Sequence, residues 1–275
     1  MPNKHKHIVK DCWSKATEKR KNDQYLNKFI EPLIAYNKRK VIKVLSMPAI
    51  NWFWEQHLLD SFPENKFEFW GVERDRCKYQ LSKAQAEILN KEHKKRATFQ
   101  LVDRACSLSV ALENPLKVGL NIEDSFDIVY ADYMGSWCPK KLKDIHTLYS
   151  NNAYSPRTSI YVMTLGLNVR NSSSFCYNTR MWWSYFQKSL NSRKDLTKLS
   201  YFVGIDDDHR HQRYSKPSYS INTHDLVSAI AAKSVEVAQG FNKLIDAHNP
   251  HIYYAPRGKI QKALPQASFC FTRLL

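Results

Sequence analysis

Glycine is scarce in this chain. Only 7 of its 275 residues are glycine, and no G-x-G-x-x-G motif, the usual cradle for a dinucleotide pyrophosphate, is present. Few glycines also argue against a flexible or low-complexity chain, and 43% hydrophobic residues supply ample material for a core. We therefore expect a folded protein, and the missing motif disfavours an enzyme that uses a dinucleotide, such as a dehydrogenase.

Paired cysteines and long apolar runs are missing as well. The six cysteines are scattered without a C-x-x-C pair or a cluster of metal-ligand spacing. A chain of this size does not need disulfides for stability, so a reducing cytoplasm is expected. The basic start of the chain has no apolar segment behind it, and no stretch approaches the roughly 20 apolar residues of a spanning helix. We expect neither a signal peptide, nor a membrane association, nor a bound metal.

Acidic residues are outnumbered. Lys and Arg total 42 against 26 Asp and Glu, a formal net charge of +16. Such a field attracts polyanions and speeds their association, which makes nucleic acid, DNA or RNA, the expected partner. The alternative is a generally basic, solvated surface with no acidic partner.

Strands and helices alternate along most of the chain. Apolar residues at helical spacing predict an amphipathic helix within residues 11–39. Strands are predicted over 40–47, 67–74, 97–105, 126–135 and 158–167, and helices over about 51–62, 75–94, 138–149 and 225–248. Two closing strands over 251–258 and 267–274 complete the pattern.

This order predicts an α/β protein with a mostly parallel, doubly wound sheet and an antiparallel carboxyl-terminal strand pair. We divide the chain into a basic helical extension, 1–39, and a Rossmann-like domain, 40–275. The aromatic-rich and serine-rich stretch 168–222 is longer than an ordinary connection and is interpreted as an insertion or lid.

Acidic residues follow three of the predicted strands. In an open α/β sheet, ligands bind beyond the carboxyl ends of the strands, near the point where the strand order reverses. Glu73 has the position of a carboxylate that accepts from ribose hydroxyls, Asp103 is a candidate for an adenine amino group, and Asp132 for the reacting end of a ligand. The alternative for each is that it caps the next helix.

The first strand ends in "VLSMPAINWFWE", residues 44–55, a strand, turn and helix start without glycine. Together with "FWGVERD", "LVDRA" and "FDIVYADYMGSW", it resembles class I S-adenosylmethionine-dependent methyltransferases across about residues 38–275. The glycine-free loop with its proline, an acid in the following helix, and Asp-aromatic-x-Gly after the fourth strand resemble divergent viral and mobile-element members. Ser46, Met47, Pro48, Ala49 and Ile50 stand where the family usually has an acid and glycines.

The resemblance implies S-adenosylmethionine as cofactor and methyl transfer as the reaction, with nucleic acid as the expected acceptor. Its implied cofactor-binding residues are Ser46, Met47, Pro48, Glu55, Glu73, Arg74, Asp103, Arg104 and Asp132. Asp132 and Tyr133 would be catalytic, and Gly135, Trp137, Arg180 and Trp182 would contact the substrate. Tyr133 or Trp137 would provide a stacking face for a base. The Asp-Pro-Pro-Tyr type sequence of enzymes that methylate base amino groups is absent, so the chemistry of the acceptor stays open.

Two alternatives remain beside the methyltransferase. One is a catalytically inactive methyltransferase-like module that binds nucleic acid or a protein partner, favoured by the missing glycines. The other is a different Rossmann-like enzyme with a nucleotide cofactor. The acid and histidine run "IDDDHRHQR", 205–213, is interpreted as a solvated turn because adjacent residues point in different directions.

Overall fold

The computed structural model describes residues 17–36, 41–120, 125–133, 139–151, 160–166, 223–243, 245–248, 250–257 and 261–273. Its strands are β1 Val41–Ser46, β2 Lys66–Gly71, β3 Ala97–Leu101, β4 Ile128–Asp132, β5 Ile160–Gly166, β6 Ile245–Ala247, β7 His251–Arg257 and β8 Gln261–Arg273. Its helices are α1 Thr17–Tyr36, α2 Phe53–Ser61, α3 Arg76–Glu92, α4 Leu108–Glu113, α5 Pro139–Ser150 and α6 Thr223–Gly240, with a 3-10 turn at Pro115–Val118. None of the helices in these ranges is long and apolar enough to cross a membrane.

The strands form one sheet in the order β3-β2-β1-β4-β5-β8-β6, and β7 pairs with the first part of β8, from Gln261 to Ser268. The pairs from β3 to β5 are parallel, whereas β8 runs antiparallel to β5, β6 and β7. The predicted α/β class, the mostly parallel sheet and the antiparallel closing pair are confirmed. The chain leaves β1 towards β2 on one side and returns at β4 on the other, so the strand order reverses between β1 and β4.

Helices cover both faces of the sheet. Apolar residues of α1, α2 and α3 pack on one face in a cluster that includes Leu26, Leu58, Leu89 and Phe69. A second cluster joins α4, α5 and α6 to the other face. Burial on both faces explains why the central strands read as nearly continuous apolar runs.

The first helix is part of the packed core. Leu26, Ile30 and Leu33 are at most 3% exposed, and the helix contacts α2, β5, β7 and β8. At its amino-terminal end the same buried face carries two polar residues, Asn22 and Asp23. This helix therefore brings polar groups to the interior.

Several predicted boundaries are wrong. The long helix predicted to residue 248 ends at Gly240, so Phe241 and Ile245 are not on its face, and Ile245 begins the short strand β6. The third strand is predicted to 105 but ends at Leu101, and the helix α4 that follows was not predicted. The last strand begins at Gln261, not at 267. The predicted insertion, 168–222, lies outside the described residues.

Candidate functional site

The reversal point between β1 and β4 is where an open α/β sheet binds its ligand. Hydrogen bonds continue the sheet beyond the strand ends there. Met47 N donates to Tyr130 O at 3.0 Å, and Val72 N donates to Ser46 O at 2.9 Å. Tyr133 N donates to Thr164 O at 3.0 Å. The residues that follow β1, β2 and β4 are thus held at one edge of the sheet.

The turn after β1 is closed by side chains and not by glycine. Pro48 is buried and Trp52 is fully buried. Trp52 has φ 54° and ψ 40°, in the left-handed region, and it precedes α2 without a side-chain cap. Its indole Nε1 donates to Ser82 O at 3.0 Å. A bulky residue in this conformation is strained, and such strain persists only where packing fixes it.

The close approach that a glycine loop would provide is found on the neighbouring strand, at Gly71. A Cβ atom there would lie 2.6 Å from Trp52 Cη2 and 2.8 Å from Pro48 Cγ. It would also lie 2.7 Å from Leu101 Cδ2. Gly71 is in register with Ser46, the last residue of β1. A glycine on β2 therefore makes room for the proline and tryptophan of the first loop.

Buried polar atoms accumulate around this turn. In the part of the chain that the structure describes, Ser46 Oγ, Trp54 Nε1 and Asn22 Oδ1 are buried without a hydrogen-bond partner. Glu55, in the first turn of α2, is only 1% exposed. Because buried polar groups normally have partners, the unpartnered atoms are consistent with a polar ligand at this edge.

Glu73 follows β2 and is partly exposed. Its Oε1 accepts from Asp75 N at 2.8 Å. The alternative that Glu73 caps α3 is wrong, because the cap is Asp75, whose Oδ1 accepts from Cys77 N and Lys78 N. The hydrogen bond from Asp75 N instead holds the Glu73 side chain at the end of β2. Arg74 beside it is exposed.

Asp103 and Arg104 follow β3, and both side chains are exposed. Asp103 N donates to Val118 O at 2.9 Å, and its carboxylate lies against Gly119, where a Cβ atom would be 2.5 Å from Oδ2. The cap of α4 is Ser107 and not Asp103. The carboxylate is therefore positioned by the turn around Gly119, which has φ 76°.

Asp132 ends β4 and lies in register with Thr164 of β5. Burial above all, and then the Asp132 charge, raise the pKa of Tyr130 and of Tyr253. The Asp23 carboxylate of α1 acts on both phenols in the same direction. Residues from α1, β4 and β7 thus meet at the end of β4, and both phenols keep their protons at neutral pH.

Two hydroxyls and an indole complete this region, which we call the β4 cluster: Asp23, Trp54, Tyr130, Asp132, Thr164, Tyr253 and Ser268. Thr164 Oγ1 lies 3.1 Å from Ser268 Oγ. The Trp54 ring stacks on Tyr130 with centroids 4.0 Å apart and planes 7° apart. The cluster therefore combines carboxylates and hydroxyls with aromatic rings.

Tyr133 points to the opposite face of the sheet. It is 7% exposed and belongs to the cluster under α4, α5 and α6. Lys141 Nζ lies 5.4 Å from its ring centroid, and its hydroxyl neighbours Asp144 and Tyr161. Burial raises the pKa of Asp144, although Ser109 and Tyr133 act to lower it. The predicted stacking role of Tyr133 stays a prediction, and its ring is packed in the core.

The structure thus brings Ser46, Met47, Pro48 and Glu55 to the end of β1, and it places the acids Glu73, Asp103 and Asp132 after β2, β3 and β4. Gly135, Trp137, Arg180 and Trp182 lie outside the described residues. Sequence reasoning missed Asn22, Asp23, Thr164, Tyr253 and Ser268. Asn22 and Asp23 precede Leu26 by four and three residues, so the helical period itself would have placed them on the buried face. Among the described residues no group of three His, Cys, Asp or Glu could hold a metal ion.

Comparison with solved structures finds methyltransferases at low similarity. The plantazolicin methyltransferase BamL is 10% identical with a TM-score of 0.44, covering 90% of this chain and 84% of that one. The methyltransferase domain of bacterial CtHen1-CN is 12% identical with a TM-score of 0.43, covering 91% and 98%. The mitomycin 7-O-methyltransferase MmcR is 10% identical with a TM-score of 0.39, covering 88% and 52%. No family model and no curated protein matches this chain, and at these values the structural likenesses assign neither family nor activity.

Proposed function

We propose that this protein is an S-adenosylmethionine-dependent methyltransferase that acts on nucleic acid. The observation that carries the proposal is the charge at the carboxyl edge of the sheet. Carboxylates lie at or just beyond the carboxyl ends of β2, β3 and β4, although the chain as a whole carries +16. An edge that collects acids in a basic protein suits a ligand with amino, hydroxyl and cationic groups.

The first loop disfavours a dinucleotide. A pyrophosphate is normally bound by glycine backbone at a helix amino terminus. Here the loop is filled by Pro48 and Trp52, and the first turn of α2 carries the buried acid Glu55. An ionised Glu55 side chain at that position would repel phosphate and favour a cation. S-adenosylmethionine has a sulfonium and an amino group and lacks a pyrophosphate, so these residues fit it.

The residues that would hold the cofactor are those at the carboxyl ends of the strands. Glu73 would accept from the ribose hydroxyls, Asp103 would accept from the adenine amino group, and Arg74 and Arg104 would border these contacts. Ser46, Met47 and Pro48 would form the floor beneath the ligand. Asp132 would face its charged end.

Catalysis would rest mainly on positioning. When bound, S-adenosylmethionine supplies an electrophilic methyl group, and the acceptor lone pair must be aligned behind it. Asp132 would accept a hydrogen bond from the acceptor group. Tyr130 and Tyr253 keep their protons, because burial raises the pKa of both phenols, so they would serve as donors and not as bases. Helix α1 would limit the access of water from its side.

Nucleic acid as the acceptor is supported by the basic residues around the acidic edge. Arg74 and Arg104 are exposed directly beside Glu73 and Asp103, and Arg76 and Lys78 follow in the first turn of α3. Exposed basic side chains beside the acidic strand ends fit a polyanion whose reactive group approaches this edge.

The test of the cofactor assignment is Glu73→Ala. A hydrogen bond to a charged group contributes about 1.5–3 kcal/mol, so loss of the ribose contacts should weaken S-adenosylmethionine binding by about tenfold or more. Isothermal titration calorimetry measures this. The matched control is Glu64→Ala, which removes an exposed carboxylate from the turn before β2 and should leave affinity unchanged. Equal affinity for wild type and Glu73→Ala would remove the ribose assignment.

A catalytically inactive module is distinguished by the reaction itself. If the protein binds cofactor, transfer of a labelled methyl group should be measured with single-stranded and double-stranded DNA and RNA. Labelled nucleic acid supports the proposal. Cofactor binding without transfer to any of the four would favour the inactive module.

A further inference from the structure

Helix α3 carries apolar side chains on two opposite faces. Its inner face, Tyr79, Ser82, Ala86 and Leu89, is buried against the rest of the fold. Its outer face carries a second row, which we call the outer stripe: Cys77, Leu81, Ala84 and Ile88. All four are exposed, with Leu81 at 43% and Ile88 at 48% of their surface. Successive members are four, three and four residues apart, the spacing of a coiled-coil seam.

An outer face of this kind is unusual for a surface helix, which normally carries polar residues there. Within the described ranges, three large hydrophobic residues are exposed, and two of them are Leu81 and Ile88. Isolated exposed apolar residues need no explanation, but a contiguous row along a helix indicates a contact surface.

The outer stripe is complementary to itself. Small and large residues alternate along it as Cys77, Leu81, Ala84 and Ile88. If two copies of α3 pack antiparallel about a two-fold axis between Ser82 and Lys83, then Leu81 faces Ala84 of the second copy. In the same arrangement Cys77 faces Ile88. Each large side chain therefore meets a small one, so that the facing side chains can interdigitate.

The charges beside the stripe favour the same arrangement. The amino-terminal half of α3 carries three basic residues, Arg76, Lys78 and Lys83, and no acid. The carboxyl-terminal half carries both of its acids, Glu87 and Glu92, and one basic residue, Lys91. An antiparallel pair places basic half against acidic half, and Arg76 falls nearly level with Glu87 of the second copy on the same flank. A parallel pair would instead oppose like charges.

We propose that the outer stripe of α3 is a homodimer interface, with a second copy of this chain as its occupant. A two-fold axis makes the contact isologous, so each copy contributes the same four residues. The four residues of the outer stripe are not among those proposed to bind cofactor or nucleic acid, although Arg76 beside the stripe also belongs to the basic residues near the acidic edge.

The first experiment is sedimentation velocity at micromolar concentrations and physiological salt, which screens the net charge of the chains. Wild type should show a concentration-dependent dimer. The variant L81Q/I88Q should remain monomeric, and its thermal unfolding should be unchanged because both side chains are exposed. Leu116→Gln is the matched control, since Leu116 is 69% exposed outside α3, and it should dimerise like wild type. A monomeric wild type, or a dimer that persists in L81Q/I88Q, overturns the proposal.

The second experiment tests the register. Ile88→Cys places a thiol opposite Cys77 of the second copy, so mild oxidation should give a covalent dimer on a non-reducing gel. Adding Cys77→Ser should abolish this product. Lys83→Cys, on a different side of the same helix, should form much less of it. A covalent dimer that survives Cys77→Ser, or equal cross-linking from Lys83→Cys, contradicts the antiparallel register.

Discussion

At the scale of single residues, the first loop depends on a glycine that lies on another strand. Trp52 is held in the left-handed region, and its indole contacts the position where Gly71 lacks a side chain. The loop sequence "SMPAINW" therefore cannot be understood by itself. The space for Pro48 and Trp52 comes from β2, and the pair together replace the missing loop glycines.

Gly71→Ala should consequently destabilise the fold. The new Cβ atom would approach Trp52, Leu101 and Pro48 to less than 3 Å, and overpacking of this kind costs about 1–3 kcal/mol of unfolding free energy. Urea denaturation measures the change. Gly240→Ala is the control, because nothing lies within 4 Å of a Cβ atom there, and it should be neutral or slightly stabilising. Equal stability of Gly71→Ala and wild type would show that the loop adjusts freely.

At the scale of elements, helix α3 begins at a fixed point because Asp75 caps it. Hydrogen bonds from Lys78 N and Cys77 N to the carboxylate stabilise its charged form, and the pKa of Asp75 is lowered from its usual value of 3.8, first by the bond from Lys78. A lowered folded-state pKa adds stability above the unfolded value, and this contribution is lost as the pH falls through the folded value.

Asp75→Ala should therefore lower the melting temperature at neutral pH, and its difference from wild type should shrink as the pH falls below 3.8. Asp75→Asn keeps an oxygen that accepts from the helix N–H groups but cannot ionise, so it should lack this pH dependence. Thermal unfolding followed by circular dichroism from pH 7 to pH 2.5 gives both comparisons. A constant difference between wild type and Asp75→Ala at all pH values would mean that the cap does not act through its charge.

Elements with strong local patterns were predictable from the sequence, and short ones were not. The central strands are apolar runs bounded by polar turns, so β1 to β5 were found in order. Helix α4 has six residues and β6 has three, too few to show a period. The end of α6 at Gly240 was missed because Phe241 and Ile245 continue its apolar spacing, whereas pairing of Ile245 with Arg273 of β8 takes that segment into the sheet.

Some residues of the candidate site were likewise predictable from the sequence, and others were not. Glu73, Asp103 and Asp132 follow strands, so their positions could be inferred from order alone. The roles of Thr164, Ser268 and Tyr253 depend on the antiparallel pairing of β8 with β5 and β7, which no local pattern specifies. The need for glycine at position 71 of β2 depends on its contact with Trp52, which follows the neighbouring strand β1.

At the scale of the whole molecule, the chain carries a net charge of +16, and exposed arginines lie beside the acidic strand ends. If nucleic acid binds across Arg74, the logarithm of the binding constant should fall linearly with the logarithm of salt concentration. Arg74→Ala should reduce the magnitude of that slope by about 1. Lys66→Ala is the control, since Lys66 is exposed at the opposite, amino-terminal end of β2. Fluorescence anisotropy with a labelled single strand gives the slopes, and an affinity insensitive to salt would contradict the electrostatic account.

The same molecule must also accept a cationic cofactor where a dinucleotide fold would accept phosphate. Calorimetric titration of the wild-type protein with S-adenosylmethionine, and in parallel with a nicotinamide dinucleotide, tests this most directly. We predict saturable binding of S-adenosylmethionine at one site per chain and none of the dinucleotide. No binding of S-adenosylmethionine up to millimolar concentration, or preferential binding of the dinucleotide, would contradict the account.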